Sequence, residues 1–118
     1  MREGKKMDCI FCKIANGEIP SKKVYEDEYM LAFHDINPMA KVHVLVIPKM
    51  HIENVDKVDE NNCEAVAKIF AKMSEIAKLA GINNGYRVIS NCGKDAKQSV
   101  MHLHFHILGG QELPEKMV

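Results

Sequence analysis

His102-Leu103-His104-Phe105-His106-Ile107-Leu108 is the stretch that decides the reading of this chain. Polar and apolar residues alternate strictly, the period of a strand with one buried face. Successive side chains on a strand project to opposite faces. The three imidazoles therefore share one face, while Leu103, Phe105 and Ile107 take the other and point into a core. A strand that only had to pack would favour β-branched and apolar residues. A row of imidazoles on a rigid element points instead to chemistry.

Working outward, the pattern predicts this strand over residues 101–108, with Gly109-Gly110 breaking it. Upstream, residues 86–91 alternate as another strand, entered through the turn Asn83-Asn84-Gly85, and residues 93–99 form a polar loop. Val66, Ile69, Phe70, Met73, Ile76, Ala77 and Ala80 recur at helical spacing, so a helix is expected from a cap at Asp59 to about Ala80. Gly81 ends it, and Lys68, Lys72 and Lys78 face solvent. Residues 43–48 are apolar and β-branched, a central strand. Residues 23–26 and 29–35 read as two more strands, and Asn37-Pro38 breaks the pattern. Residues 9–16 read as a short helix closed by Gly17. The order is α-β-β-β-α-β-β. Short turns between consecutive strands imply an α+β domain, with an antiparallel sheet of about five strands, one long and one short helix.

A chain of 118 residues suits one core. Residues 1–7 are polar and read as a flexible leader, leaving residues 8–118 as the single domain. Acidic and basic residues balance, 16 against 16, which argues against a nucleic-acid surface. There is no signal-peptide pattern and no apolar run long enough for a membrane span, so a cytoplasmic protein with no membrane partner is expected. The 4 cysteines are then expected to be reduced. Cys63 and Cys92 read as small core residues.

The histidine row has three readings: a solvated polar face, a zinc site, or a nucleophile with phosphate ligands. Imidazoles at alternate strand positions can share a zinc ion. Neutral imidazole also attacks phosphorus, and its neighbours can hydrogen-bond phosphoryl oxygens. A nearby hydroxyl such as Ser99 can pass a proton to a leaving group. Periodicity does not choose among them. Cys9 and Cys12 form a Cys-x-x-Cys pair. No strand precedes it, so a thioredoxin-like dithiol is disfavoured. A structural zinc needs two further ligands, and His34, His43, His51 and His102 are available.

The run Gln98-Ser99-Val100-Met101-His102-Leu103-His104-Phe105-His106-Ile107-Leu108 resembles the signature of the histidine triad (HIT) superfamily. Matches in order extend upstream: Ile10-Phe11, Lys13-Ile14, Glu18-Ile19-Pro20, Ala32 through Pro38, His43, Leu45 through Lys49, His51, Gly85-Tyr86-Arg87 and Asn91. Together they cover residues 8 to 110. Gly109-Gly110 after the triad is similar to the HINT branch of nucleotide-binding phosphoramidases. The dinucleoside polyphosphate hydrolase branch usually has Pro-Arg there, and the uridylyltransferase branch has Gln where His106 stands.

The resemblance implies a HIT-like fold and a homodimer whose sheets join across the interface. It implies a purine nucleoside phosphoramidase acting at the α-phosphate through a covalent nucleotidyl-histidine. Dinucleoside polyphosphate hydrolysis, or a nucleotide-binding regulatory module with incidental catalysis, are the alternatives. His104 matches the nucleophile, and His102 the residue that orients the catalytic network. His106 and His43 match phosphate contacts or supports, and Ser99 lies near the leaving group. Asn91 and Ser99 match phosphate-contacting positions, Gln98 belongs to the nucleotide-binding set, and Asp35 matches the residue that binds both ribose hydroxyls. Ile10, Phe11, Ile14, Phe33, His34 and Ile36 match the base pocket. Bacterial members commonly hold a structural zinc through the Cys pair and two histidines, here Cys9, Cys12, His51 and His102, with no organic cofactor. Eukaryotic members commonly end in a Trp-containing tail that shapes leaving-group choice. This chain has no Trp, so no leaving-group preference carries over.

Overall fold

The computed structural model describes residues 8–116, so the expected leader at residues 1–7 lies outside the described residues. Helix α1 spans Ile10–Ala15 and is followed by β1, Lys23–Glu26, β2, Met30–His34, and β3, Val42–Pro48. A single 3-10 turn at Val55–Lys57 leads to helix α2, Cys63–Leu79, and then to β4, Tyr86–Ile89, and β5, Phe105–Gly109. The five strands form one antiparallel sheet in the order β1-β2-β3-β5-β4. The α+β class, the element order and the strand count agree with the sequence pattern.

Strand alternation sorts the core into two layers. Met30, Ala32, Val44, Val46, Phe105 and Ile107 pack against Ile69, Met73, Ile76 and Ala77 of α2. Leu31, Phe33, Leu45 and Ile47 pack against Phe11, Ile14 and Ala15 of α1 on the opposite face. His43 shares the parity of Leu45, and His106 sits opposite Leu45 in the β3–β5 register. The histidine face of the sheet is therefore the α1 face.

Helix α2 ends as its sequence requires. Gly81 adopts φ +90, its N–H donates to the Lys78 carbonyl at 3.0 Å, and the Ile82 N–H donates to the Ala77 carbonyl at 2.9 Å. That is a Schellman closure, completed by burial of Ile82. A Cβ on Gly109 would stand 3.0 Å from the Ile82 side chain and 3.1 Å from the Gly85 carbonyl, so this closure also explains why β5 ends in glycine.

Four expectations shift. Helix α2 begins at Cys63 rather than at Asp59, because the Asp59 carboxylate accepts the Asn61 N–H and its carbonyl accepts the Cys63 N–H within a preceding turn. Cys63 is consequently exposed at the helix start, and Cys92 is half-buried, so neither is a core residue. Phe70 stays 52% exposed although its ring meets Phe105 edge-on. The histidine strand begins at Phe105, not Met101.

Candidate functional site

The shortened strand has a physical cause. The β3–β5 ladder ends at the Val46–Phe105 pair, because beyond it β3 pairs only with β2. Residues His102 to His104 lie outside the ladder and are held by other bonds. The Leu103 N–H donates to the Ile52 carbonyl at 2.6 Å, and the Ser90 hydroxyl donates to the His104 carbonyl at 2.8 Å. Leu103, Phe105 and Ile107 are buried as the alternation predicts. The three imidazoles, however, do not form one equivalent row.

His102 is 0% exposed and its ring faces Cys9, Cys12 and His51. Its Nε2 lies 2.9 Å from the Pro48 carbonyl, which only accepts, so Nε2 carries the proton and Nδ1 the lone pair. That Nδ1 lies 3.2 Å from Cys9 Sγ, 3.5 Å from Cys12 Sγ and 3.2 Å from His51 Nδ1. Cys12 Sγ is 3.3 Å from His51 Nδ1. All four donor atoms lie within 4.8 Å of one another. A tetrahedral ion with bonds of about 2.3 Å to sulfur and 2.0–2.1 Å to nitrogen separates its donors by roughly 3.3–3.8 Å. The cluster has those spacings, and two thiols with two imidazoles suit a borderline-soft cation. Four protein donors complete such a shell and leave no position for a reacting water. The Cys9 thiol also caps α1, accepting the Cys12 N–H at 3.3 Å, which fixes the pair against the helix.

His104 presents the opposite edge. Its Nδ1 lies 2.7 Å from the His102 carbonyl, so the proton sits on Nδ1 and Nε2 is an unshared lone pair. Phe11 meets the His104 ring edge-on at 5.1 Å, and His106 lies 5.0 Å away. His106 Nδ1 is 2.9 Å from His43 Nε2, which is itself 3.3 Å from an Asp35 oxygen. The Met39 N–H donates to His43 Nδ1 at 2.9 Å.

Burial decides the charge of these rings. It pushes His102 and His106 down to about 4, in His106 aided by His104 and His43 beside it. It lowers His43 and His104 as well, against a partial opposing pull from Asp35. All four are neutral imidazoles at pH 7, the form that offers a nucleophilic lone pair.

His104, His106, His43 and Asp35 open onto a cavity of about 550 Å³. Its walls are mostly apolar, and they include Ile10, Phe11, Ile14, Phe33, His34 and Ile36, all named from the sequence, together with Ser99. Ile19, Pro20, Ser21, Lys22, Leu45 and Met39 also line it and were not singled out. Their signal was weak, since a turn and a core strand give no chemical cue. Ile36 and Met39 stand 91% and 79% exposed at the mouth. A larger trough of about 770 Å³ lies between residues 81–87 and 110–113, but no histidine lines it.

Three residues named for the catalytic and nucleotide sites do not line the cleft. His102 belongs to the Cys9, Cys12 and His51 cluster, which could hold a metal ion, and Asn91 is half-buried beyond the end of β4. Gln98 is 8% exposed and its amide is wholly engaged. Its Oε1 accepts from the Gly93 N–H at 2.9 Å and the Asn54 amide at 3.2 Å, and its Nε2 donates to the Glu53 and Val100 carbonyls at 2.8 and 3.0 Å. Gln98 thus braces the loop that carries Ser99 rather than facing a ligand. Ser90, which anchors the His104 carbonyl, carries no sequence signal.

Comparison with known proteins agrees with this geometry. The sequence profile of the HIT domain matches residues 16–113. A HIT-like protein of Azospirillum brasilense is 49% identical over 106 residues, covering 88% of this chain and 87% of the other. A histidine triad protein from Clostridium difficile superposes with a TM-score of 0.90 at 51% identity, covering 96% of this chain and 99% of that one. A HIT family hydrolase from Clostridium thermocellum superposes at 0.92 with 46% identity, covering 97% and 100%.

Proposed function

Since the chain belongs to the HIT domain family, we propose that it is a purine nucleoside phosphoramidase of the HINT type, cleaving at the α-phosphorus through a nucleotidyl-histidine on His104. The observation that carries this reading is the His104 ring: its Nδ1–H is given to the His102 carbonyl at 2.7 Å, which leaves the Nε2 lone pair for the cleft. Nε2 attacks phosphorus, a P–N bond to His104 forms, and the P–N bond to the leaving amine breaks. Ser99 stands at the cleft wall where its hydroxyl passes a proton to that amine. The ring becomes cationic in this step, and the carbonyl behind Nδ1–H stabilises it. Water then attacks phosphorus and gives a proton back to the Ser99 oxygen, the bond to Nε2 breaks, and the nucleoside monophosphate leaves.

The apolar slot between Phe11, Ile14 and Phe33 accepts a flat base, and Asp35 accepts the two ribose hydroxyls. His106 and His43 serve the phosphate, with Asn91 beyond them. Zinc is the metal we assign to Cys9, Cys12, His51 and His102, where it pins α1 beside His102 without taking part in the chemistry. Cysteines not joined in a disulfide at those positions suit a reducing compartment such as the cytoplasm. The working form is a homodimer joined along β4. That strand is a sheet edge with Tyr86 and Val88 exposed on the α2 side, and Phe70 is exposed on α2.

Turnover of adenosine 5′-phosphoramidate tests the reading. His104→Ala is expected to lose about 10⁴-fold or more in kcat, as removal of a covalent nucleophile does. Wild-type rates in the variant sink the assignment. AMP binding without turnover of phosphoramidates or dinucleoside polyphosphates favours a binding module, and turnover of polyphosphates alone favours the other hydrolase branch.

A further inference from the structure

Asp35, His43 and His106 form a second group of donor side chains with metal-ligand spacing among the described residues. Such a trio is either a cation site or a hydrogen-bond chain, and the two make opposite demands on His43. A neutral imidazole that binds a cation through Nε2 keeps its proton on Nδ1. The Met39 main-chain N–H donates to His43 Nδ1 at 2.9 Å, so Nδ1 holds the lone pair. The proton of His43 is therefore on Nε2. It points at His106 Nδ1, 2.9 Å away, and at the Asp35 carboxylate, 3.3 Å away, both acceptors. A cation placed in the trio would face that hydrogen.

We infer that the Met39 amide and His43 are a positioning pair that holds His106 as its Nε2–H tautomer, so that the cleft presents a donor to a phosphoryl oxygen beside the His104 lone pair. Two adjacent imidazoles thus acquire opposite polarity from what stands behind each ring. Behind His104 is a carbonyl, which accepts. Behind His106 is an N–H relayed through His43. Burial keeps both His43 and His106 neutral, so each has one proton to place and the relay decides where. Asp35 competes for the His43 proton, and its Oδ1 is already held by the Asn37 N–H at 2.8 Å. A ribose engaging the other oxygen leaves the His43 donor wholly to His106. The phosphoryl partner rests on the nucleotide reading given above, whereas the tautomers do not.

The test uses the full chain, zinc-loaded and labelled with ¹⁵N-histidine, at neutral pH without nucleotide. Long-range proton–nitrogen correlation reports which ring nitrogen carries each proton. The expected result is Nε2–H for His43 and His106 and Nδ1–H for His104. His43→Gln places an amide N–H where Nε2–H stood and is expected to keep the His106 tautomer pattern. His43→Leu removes the relay, so His106 is expected to populate both tautomers and AMP affinity to fall about tenfold. A proton on His106 Nδ1 in the wild type overturns the inference. So does a second zinc equivalent that binds the wild type and is lost in Asp35→Asn. Failure of AMP to bind at all removes the nucleotide reading, while the tautomer result still decides this one.

Discussion

Replacing Gln98 by Ala removes one buried amide and four hydrogen bonds at once. The bonds tie three chain segments together: Glu53 and Asn54 after β3, Gly93 after β4, and Val100 before the histidines. Each contributes about 1 kcal/mol net, and buried groups left unpaired cost more. Asn54 Oδ1 is already buried without a partner, so loss of Gln98 would leave its whole amide unpaired. Water reaches the exposed Glu53 end and recovers part of the loss, which leaves a destabilisation of about 3 kcal/mol. Urea unfolding should show it as a lower midpoint at unchanged m-value. The Ser99 loop loses its brace as well, so kcat on adenosine 5′-phosphoramidate should fall by about tenfold, with a smaller change in AMP affinity. A stability loss under about 1 kcal/mol would refute this accounting. If AMP binding fell sharply while stability held, Gln98 would be the ligand contact that the family resemblance implies.

Further outcomes follow from the same geometry. Cys9→Ser with Cys12→Ser should abolish a stoichiometric zinc found by metal analysis of the wild type and lower the melting temperature; wild type purified without metal and indifferent to chelator would count against the assignment. In the metal-free chain, the depressed histidines bind fewer protons than in the unfolded state. Stability is therefore full above pH 6.5 and is lost as pH falls toward about 4. Unfolding free energies from urea titrations at pH 7 and 4.5 should differ by about 3 kcal/mol, after discounting half-exposed His106; a flat profile contradicts the buried neutral rings. Val88→Asp on the exposed edge strand should shift a dimer to monomer in analytical ultracentrifugation, with the monomer retaining its fold by circular dichroism. A wild type that sediments as a monomer ends the dimer reading.

The fold was legible where periodicity had one cause. Leu103, Phe105 and Ile107 alternate because a sheet face buries them, and Ile69, Met73 and Ile76 recur because α2 covers that face. Legibility failed where side chains replaced the ladder. From His102 to His104 the alternation persists although the strand has ended, because ring nitrogens and the Ile52 carbonyl take over from a neighbouring strand. Sequence cannot distinguish a segment held by side chains from one held by a ladder. Phe70 misleads for a related reason: it has helical spacing, yet its ring touches Phe105 by one edge and stays half exposed. Gln98 was legible as part of a motif and not as a brace, since the partners of an amide are main-chain groups that carry no residue identity.

The cysteine–histidine cluster and the cleft meet in one residue. The His102 side chain gives Nδ1 to Cys9, Cys12 and His51, and its main-chain carbonyl receives the proton of His104. A carbonyl can fix a tautomer only if its own position is fixed. Three constraints hold it: Nε2 against the Pro48 carbonyl, Nδ1 in the cluster, and the Leu103 N–H on Ile52. Pro48 ends β3 and Cys12 lies in α1, so the carbonyl is referenced to the sheet and to the helix together. Ser99 and Val100 line both the cleft and a smaller cavity beside Cys9 and His51, so a single wall separates the two sites. Disturbing the Cys9, Cys12 and His51 contacts is therefore expected to loosen the backbone behind His104 before it reaches the apolar wall of the cleft. The spacing of the triad puts one imidazole in the cluster and the next in the cleft. The carbonyl between them holds the proton of the second on Nδ1 and leaves its Nε2 lone pair to the cleft.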